Sequence, residues 1–490
     1  MPVQNPNKQY LARRPINRRI RDALSGIDRI RARGVAYLPK PDTQCEDARY
    51  NDYKGRTYYV NLPLRTVTTL AGLLNNKDPE VELPTQMQYL MDNVDGSGGD
   101  LDQQIKDNID EVLSLGCAAI LVLPKPAPEM GVNRANADAL MPTITAYKDE
   151  QIINERVNNG KLTMVVLREH EYVPATDDEF TNAVAVSFRV LTLDEGGVKQ
   201  RIYTGQDKAA TVESCAFFED EYIDIQNMPG NWSIEESYLT LANNQPMTEI
   251  PLYFIGSVNN DATRDPSPIL NICDLMLAYY RMSADEQLNV HLASGGFVTV
   301  ATRLEPKEWQ EFNGTFEINS SFGTYFVGES GSMNFVQAAE CMIVNTSMAN
   351  MLKNAIAVGA QYISDAITDK TATEARINNS TSTSQLTQIA RNTSDAYTKA
   401  FKMIAAILGE TGEAYLSIST EFFDDEVSPE MIRSMAEAVL KGTMAQTEFL
   451  LWQKKVGIID EDRTVDDARL DLDEAALNSM SMPVVTNNAE

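Results

Sequence analysis

The sequence predicts an α+β fold, with mixed helices and strands in the first half and long helices in the second. The middle of the chain alternates β-branched and polar residues between turn signals, as in "NAVAVSFRVLTL" and "VKQRIYTG". After residue 266 the apolar residues recur instead at helical spacing over long stretches. The 490 residues are 43% hydrophobic and 23% charged, which allows substantial cores in several domains.

The first predicted element is a basic helix over residues 9–33, which Gly34 ends. Residues 1–40 contain ten Lys or Arg and two Asp, although the net charge of the whole chain is −28. This asymmetry favours a basic N-terminal arm over 1–34 that meets a different environment from the acidic body. The alternatives are a solvated amphipathic helix, or an arm that serves folding alone. The candidate functional residues of this arm are Arg13, Arg14, Arg18, Arg19 and Arg21.

The region that follows combines short helices with strands. Helices are expected at 64–75, 84–92 and 100–115, the last capped by Asp100 and closed by Gly116. The loop "DNVDGSGGD" before it is acidic but lacks the spacing of an EF-hand calcium loop. "CAAILVL", "KLTMVVLREHEYV" and "EIPLYFIG" are typical of strands.

Two long helices then bracket a short insertion. Ser267 as N-cap and Pro268 in the first turn predict a helix over 267–294, and a second helix is expected over 338–364. The segment 295–337 between them is strand-like and rich in Phe, Gly and Asn. The predicted buried stripe of the first helix is Ile269, Ile272, Cys273, Met276, Tyr280, Ala284 and Leu288. The predicted seam of the second is Met342, Asn345, Ala349, Leu352, Ile356, Gly359 and Ile363.

The last part of the chain begins with a polar tract over 369–384, which is rich in Thr, Ser and Asn. A third long helix is expected to run from 383 to Leu408, followed by a strand before residue 427. Its predicted buried side is Leu386, Ile389, Thr393, Tyr397, Ala400 and Ile404. A small helical module and a tail are expected over 428–490.

Several kinds of chemistry have no signature in the sequence. There is no GxxxxGK[ST] phosphate loop, and "GESGS" misses the GxSxG nucleophile elbow by one position. Five scattered cysteines and two histidines fit neither a disulfide framework nor a zinc site. The apolar run Cys117–Leu123 is too short to cross a bilayer, and the N-terminus lacks a secretory signal. We therefore expect a soluble intracellular protein that is not an enzyme and has no catalytic residues, bound metal or cofactor.

Four motifs resemble those of tailed-bacteriophage portal proteins, also called head-to-tail connectors. They are "YNDYKGRTYYVNLPLRTVTTLAGLL", "DNVDGSGGDLDQQIKDNIDEVLSLGCAAILVLP", "AYKDEQIINERV" and "DPSPILNICDLMLAYYRMSADEQLNVHLASGGFVTV". They occur in the expected order, and the resemblance covers roughly residues 35–410. The runner-up hypotheses are another structural virion component, such as a minor head or tail-connector protein, and a soluble enzyme of unfamiliar type.

The resemblance implies a ring, usually of twelve subunits, at one capsid vertex. DNA would enter and leave through its channel during packaging and ejection, and the ring would dock terminase, a head–tail adaptor and the major capsid protein. The chain would occur in the virion, and in the host cytoplasm during assembly, with no membrane contact. The implied domains are an α/β wing (35–266), stem helices (267–294 and 338–364), a clip (295–337), a tunnel loop (365–382), a long wing helix with a strand (383–427) and a crown with the tail (428–490).

Two groups of site residues follow from this plan. The candidate channel lining is Lys353, Lys370, Thr371, Thr373, Arg376, Asn378 and Asn379. The alternative for these residues is an ordinary surface loop with solvated charges. The candidate clip interface is Trp309, Phe312, Phe316, Phe322, Tyr325 and Phe326, which could join neighbouring clips or bind terminase.

Overall fold

The computed structural model divides the chain into Met1–Thr420 and Glu421–Glu490. All residues that it describes belong to the first part, so the predicted crown over 428–490 lies outside them. The described residues are 3–42, 45–124, 141–174, 182–205, 211–213, 232–242, 245–295, 297–313, 330–336, 342–360 and 372–420.

The described part of the chain contains helices throughout, and the three longest follow residue 266. The helices are α1 (Lys8–Ser25), α2 (Ile27–Ala32), α3 (Asp47–Gly55), α4 (Leu62–Leu74), α5 (Leu101–Leu115), α6 (Leu270–Gly295), α7 (Pro306–Asn313), α8 (Met342–Ala360) and α9 (Ala372–Leu408). Short 3₁₀ turns occur at Gly34–Ala36, Thr85–Leu90 and Asp149–Gln151.

The strands form four antiparallel sheets. They are β1 (Glu80–Glu82), β2 (Cys117–Leu123), β3 (Thr143–Lys148), β4 (Ile152–Asn158), β5 (Lys161–Pro174), β6 (Asn182–Asp194), β7 (Gly197–Gly205), β8 (Thr211–Glu213), β9 (Trp232–Leu239), β10 (Leu252–Gly256), β11 (Phe297–Ala301), β12 (Ser332–Val336) and β13 (Tyr415–Ser417). The largest sheet has the order β4-β5-β6-β7-β9, with β8 also paired to β6. The smaller sheets are β10-β2-β3, β1-β13 and β11-β12. The observed class is therefore α+β, as the sequence predicts.

The six-stranded sheet buries apolar residues on both faces, because side chains alternate along each strand. One face, with Val165, Leu167 and Leu191, packs toward β2, β10 and α9 in a single core. On the other face, Val166 and Phe188 are packed against Tyr10 of α1.

Helix α5 ends at Gly116, which adopts a left-handed conformation with φ of +83°. A Cβ atom at this position would lie 2.6 Å from the Pro266 carbonyl oxygen, so only glycine fits here. The close approach brings the end of α5 and the start of β2 against the loop that leads into α6. The predicted Asp100 cap is also present, since its carboxylate accepts from the Asp102 amide at 2.9 Å.

One side of helix α6 is buried, and it is the side that the sequence predicts. Ile269, Ile272, Cys273, Met276, Tyr280 and Ala284 are all buried, whereas Leu288 is only half-buried. Residues of the N-terminal segment, among them Ile30, Leu38 and Tyr50, pack on this half of the helix.

Some predicted boundaries differ from the observed elements. The basic helix breaks at Gly26 into α1 and α2, and the helix expected over 84–92 is a 3₁₀ turn. Helix α9 starts at Ala372, so residues 372–382 are helical although a loop was predicted there. The predicted buried side of α9 is confirmed, because all six of its residues are buried.

Candidate functional site: the stalk and its outer face

Helices α6 and α8 form an extended pair, which we call the stalk together with the segment between them. β11 directly follows α6 and pairs antiparallel with β12, which precedes α8. Helix α8 therefore returns along α6, and the two helices share a core. At ~1.5 Å per residue the 26 residues of α6 extend about 39 Å. The prediction of two long helices around a short insertion is confirmed, but the insertion is strand-like only in part, because helix α7 lies between β11 and β12.

Three polar contacts fix the base of α6 to the N-terminal segment. Arg19 lies 3.0 Å from Asp274, and Arg281 Nε donates to the Tyr37 carbonyl oxygen at 3.0 Å. The Tyr53 hydroxyl donates to Asp285 Oδ1 at 2.6 Å. From Glu286 to His291 every residue is half-buried or exposed. The helix thus emerges from the core near Asp285.

Only one side of α8 contacts α6. Met348 and Ala355, seven residues apart, are 5% and 0% exposed, and Met351 and Leu352 are partly buried beside them. The predicted seam is therefore wrong in part, because Asn345, Ala349 and Ile356 are exposed. The sequence did not identify the buried side of α8 correctly, because small and apolar residues occur on both sides of the helix.

The remaining surface of α8, its outer face, is unusual for a helix exposed to water. The 19 residues of α8 contain a single charged residue, Lys353. Ile343 is 80% exposed and Ile356 is 40% exposed. The outer face consists of Ile343, Asn345, Thr346, Ala349, Asn350, Lys353, Asn354, Ile356 and Ala357. Solvated helix faces normally carry charges, so this composition is typical of a surface that another protein covers.

The candidate channel residues occupy different places. Lys353 is exposed on the outer face of α8, about 60° around the helix axis from Ile356 at ~100° per residue. Thr373, Arg376, Asn378 and Asn379 belong to the first turns of α9 rather than to a loop. Lys370 and Thr371 lie outside the described residues. The side chains of Thr373, Arg376, Asn378 and Asn379 also lie outside the described part of the chain.

The candidate clip residues are described in part. Helix α7 carries Trp309, which is half-buried, and Phe312, which is 67% exposed. Phe316, Phe322, Tyr325 and Phe326 lie outside the described residues. An exposed phenylalanine at the far end of the stalk is compatible with a contact to another protein.

Three arginines of the basic arm, Arg13, Arg19 and Arg21, pair with acidic residues of the body. Arg21 is nearly buried and contacts Glu111 at 2.5 Å and Glu150 at 3.0 Å. Burial opposes ionisation of Glu150, but Arg21 outweighs it and lowers the pKa of this carboxyl group. Arg13 donates to the carbonyl oxygens of Asp265 (2.7 Å) and Leu115 (2.6 Å).

Arg264, from the body, contacts acidic residues of the same region. Arg264 contacts Asp149 at 2.5 Å and Glu155 at 3.2 Å, and all three side chains are at least 94% buried. Asp149 also accepts from Asn17 Nδ2 of α1 at 2.6 Å. We call Arg13, Asn17, Arg21, Glu111, Asp149, Glu150, Glu155 and Arg264 the charge junction.

The charge junction corrects the interpretation of the arm. Arg13, Arg19 and Arg21 hold α1 to the body, which favours the third alternative, a role in folding. Arg18 is exposed and Arg14 is half-buried. The carboxylates that contact Arg19 and Arg21 lie between 90 (Arg21 to Glu111) and 255 residues (274 − 19, Arg19 to Asp274) away in sequence, so no local pattern could have revealed these pairs.

The described residues offer little for catalysis or metal binding. Cys45, Cys117 and Cys273 are buried free thiols, and burial raises the pKa of Cys117 to about 12. Within the described ranges, no group of His, Cys, Asp or Glu is placed to hold a metal ion. The same part of the chain contains no helix that is both long and apolar enough to span a bilayer.

Comparisons with known proteins give distant likenesses. A family model described as "Domain of unknown function (DUF4055)" matches residues 268–408, which include α6, α8 and α9. A search of curated proteins finds no match.

Among solved structures, the chain is similar to one from the "Virion of native gene transfer agent (GTA) particle", with 12% identity, a TM-score of 0.38, and coverage of 87% of this chain and 97% of the other. It is also similar to chains from the "Neck of empty GTA particle computed with C6 symmetry" (12%, 0.36, 87% and 98%) and the "Neck of native GTA particle computed with C12 symmetry" (11%, 0.33, 86% and 97%). TM-scores in this range do not by themselves establish a shared fold.

Proposed function

We propose that this chain is the portal protein of a tailed-phage-like particle, a ring subunit that gives DNA its passage through one capsid vertex. The outer face of α8 carries the proposal. An extended helix that exposes Ile343 and Ile356 and has one charge is incomplete as a monomer. A ring of identical stalks covers these faces without a second protein species, because a heterologous contact closes when the rotation between copies divides a full turn.

The order of the elements supports the same proposal. A mixed α/β body precedes α6, a short β-containing insertion separates α6 from α8, and a long helix α9 returns to the body. This is the order of wing, stem, clip and wing helix that the four sequence motifs imply. The insertion, with Phe312 exposed, would then dock terminase during packaging and a head–tail adaptor afterwards.

The negative net charge of the chain suits a channel through which DNA passes without binding tightly. A ring of chains that each carry a net charge of −28 would repel the phosphates of DNA and keep the duplex away from the wall. Screening limits this repulsion to about 8 Å at physiological salt, so it acts where the channel is narrow. Lys353 would supply an isolated cation in each stalk, enough to slow DNA without holding it.

No step in this function needs catalysis by the chain itself. In the proposal the packaging energy comes from a separate ATPase, and the chain acts as a passage, a docking platform and a contact for the major capsid protein. Its location would be the virion, reached by assembly in the host cytoplasm.

Imaging and native mass measurement of the purified protein test the ring directly. We expect closed rings with a central hole, most often of twelve subunits. A protein that stays monomeric or dimeric under all conditions would contradict the proposal.

A pair of variants tests which surface forms the ring. The double variant Ile343→Asp/Ile356→Asp should abolish rings and leave a folded chain, since both side chains are exposed. Val258→Asp is the matched control, because Val258 is 51% exposed on a loop of the body. Rings that persist in the double variant, or disappear equally in the control, would show that the outer face of α8 is not the contact.

The channel role requires an assay with DNA. Lys353→Glu should change the rate of packaging or the retention of packaged DNA in particles whose rings imaging shows to be closed, because Lys353 is exposed about 60° around the helix from Ile356. Unchanged packaging and retention in such particles would remove Lys353 from the channel.

A further inference from the structure

Within the described part of the chain, three largely enclosed arginines are matched with carboxylates, whereas Arg168 is not. Arg21, Arg189 and Arg264 each lie within 3.2 Å of at least one carboxylate oxygen. Arg168 is 3% exposed, and its Nε and Nη1 atoms are buried without a hydrogen-bond partner. Because an unpaired buried charge is strongly destabilising, this exception calls for a missing partner.

Arg189 is the matched comparison for Arg168, because it lies on the next strand of the same sheet. Arg189 makes two bonds to Glu169, at 2.6 and 3.1 Å, and one to Gln200 at 2.9 Å. The register pairs Leu167 with Arg189 and Arg168 with Phe188. The two arginines therefore occupy opposite faces of the sheet. The face of the sheet that carries Arg189 also carries a carboxylate that pairs with it, and the face that carries Arg168 does not.

Arg168 lies on the side of the sheet that packs against the N-terminal segment. Its face of the sheet is packed against Tyr10 of α1. Arg14 follows Tyr10 by four residues in α1, so the two side chains lie on the same face of the helix. Burial raises the pKa of the Tyr10 phenol, and the positive charges of Arg168 and Arg14 oppose this rise. Glu150 and Asp149 also act on Tyr10.

Neither carboxylate is available to Arg168. Glu150 is bonded to Arg21, and Asp149 to Arg264 and Asn17. Arg14, which is half-buried, makes no ion pair within the described part of the chain.

The same sheet face holds two more donors without partners. The indole Nε1 of Trp232, which packs edge-on against Phe188 at 5.2 Å, is buried and unbonded. The Nε atom of Arg201 is also buried and unbonded, and the register places Arg201 opposite Val190 on this face. An acceptor-rich ligand would satisfy donors here, whereas a cation would be repelled.

We propose that Arg168, with Arg14 and the Tyr10 hydroxyl, binds a small oxyanion of the phosphate class beneath the N-terminal segment. Such an anion supplies several acceptor oxygens and cancels the charge that the fold leaves unmatched. A small ligand fits better than a partner side chain, because Arg168 is almost wholly enclosed. The site would fasten α1 to the sheet near Tyr10.

Thermal unfolding of the full chain in inorganic phosphate tests the site, with chloride at equal ionic strength as the reference. Phosphate at about a hundredfold excess over its Kd should raise Tm by on the order of 3 °C or more. In Arg168→Met this increment should disappear, and the variant should unfold at a higher temperature than the wild type in chloride, because a buried unpaired charge has been removed. Arg14→Gln, at a half-buried position, should reduce the increment without affecting folding.

The matched control is Arg156→Met, which removes an exposed arginine from β4 of the same sheet and should keep the full phosphate response. An equal response in Arg168→Met and the wild type would overturn the proposal. So would a lower Tm for Arg168→Met in chloride together with no phosphate response in Arg14→Gln or the wild type. The proposal would also be overturned if Tm rose with protein concentration and did not change with phosphate. That result would assign the missing anion to a carboxylate of a second copy of the chain.

Discussion

The charge junction and the outer face of α8 differ in whether their side chains find partners within the chain. In the junction, Arg13 and Arg21 of α1 and Arg264 of the body meet carboxylates from α5, the Asp149–Gln151 turn and β4, so that each of these charges has a partner inside one chain. On the outer face there is almost no charge, and Ile343 is 80% exposed. The charge junction is therefore complete within a single chain, whereas the stalk is complete only beside another surface.

The difference separates stability from assembly. Changes in the junction should unfold the chain without altering which surface contacts its neighbours. Changes on the outer face should leave the folded chain intact and alter assembly. The following substitutions test this division.

The largest effect is expected from Asp149→Asn. The carboxylate faces Arg264 and Arg13 and accepts from Asn17, and its loss leaves buried guanidinium groups unmatched. We expect the free energy of unfolding to fall by about 3–5 kcal/mol. Denaturant unfolding of the dissociated chain measures it. Glu195→Gln, an exposed residue of the β6–β7 turn, is the control and should change little. A loss below 1 kcal/mol for Asp149→Asn would mean that the junction is not what holds α1 to the body.

The two sides of α8 should respond differently to the same truncation. Met348→Ala removes a buried side chain from the contact with α6 and should cost about 2 kcal/mol. Ile356→Ala, on the outer face, should stay within ~0.5 kcal/mol in the dissociated chain but should weaken the ring. Hydrogen exchange across residues 342–358 reports the first effect, and the ring fraction at low protein concentration reports the second. Equal destabilisation by both variants would erase the distinction between the two sides.

A smaller effect is expected inside the body, where α5 meets α9. The Tyr397 hydroxyl accepts from Asn108 at 2.8 Å and donates to Gln104 at 3.1 Å. Tyr397→Phe leaves the buried Asn108 amide without a partner and should cost about 1–2 kcal/mol. Tyr238→Phe is the control, since its hydroxyl donates to Asp194 at an exposed position. The ring fraction should be unchanged in both, and a lower ring fraction in Tyr397→Phe would link the body to assembly.

Much of the body was predictable from sequence because its signals are local. Asp100 and Gly116 cap α5 as their residue types predict, and the stripe from Ile269 to Ala284 is buried. What failed depended on distant partners. The arginines of α1 meet acids that lie far along the chain, and the side of α8 that meets α6 could not be told from its other side, since both are apolar.

The same division applies to the candidate site. The sequence identifies α8 as a helix and shows that it has a single charge, which already suggests a covered surface. It does not show which residues are left uncovered, because that depends on where α6 packs. The helical start of α9 at Ala372 was missed because Thr, Ser and Asn favour caps and turns over helix interiors, and here they occur within a helix.

The smallest effect concerns Asp110 on the surface of α5. Partial burial, together with Asp107 and Glu111, raises the pKa of its carboxyl group to about 6. The folded chain thus holds this proton more tightly than the unfolded chain does, so ionisation of Asp110 lowers stability as the pH rises from about 4 to 6. Asp110→Asn should remove this loss and stabilise the chain above pH 6 by at most about 1 kcal/mol, since solvent screens an exposed group. Thermal unfolding measured from pH 4 to 8 checks the sign. If the increase in Tm caused by Asp110→Asn were largest at pH 4, or the same at every pH, the acidic neighbours would not be raising the pKa of this carboxyl group.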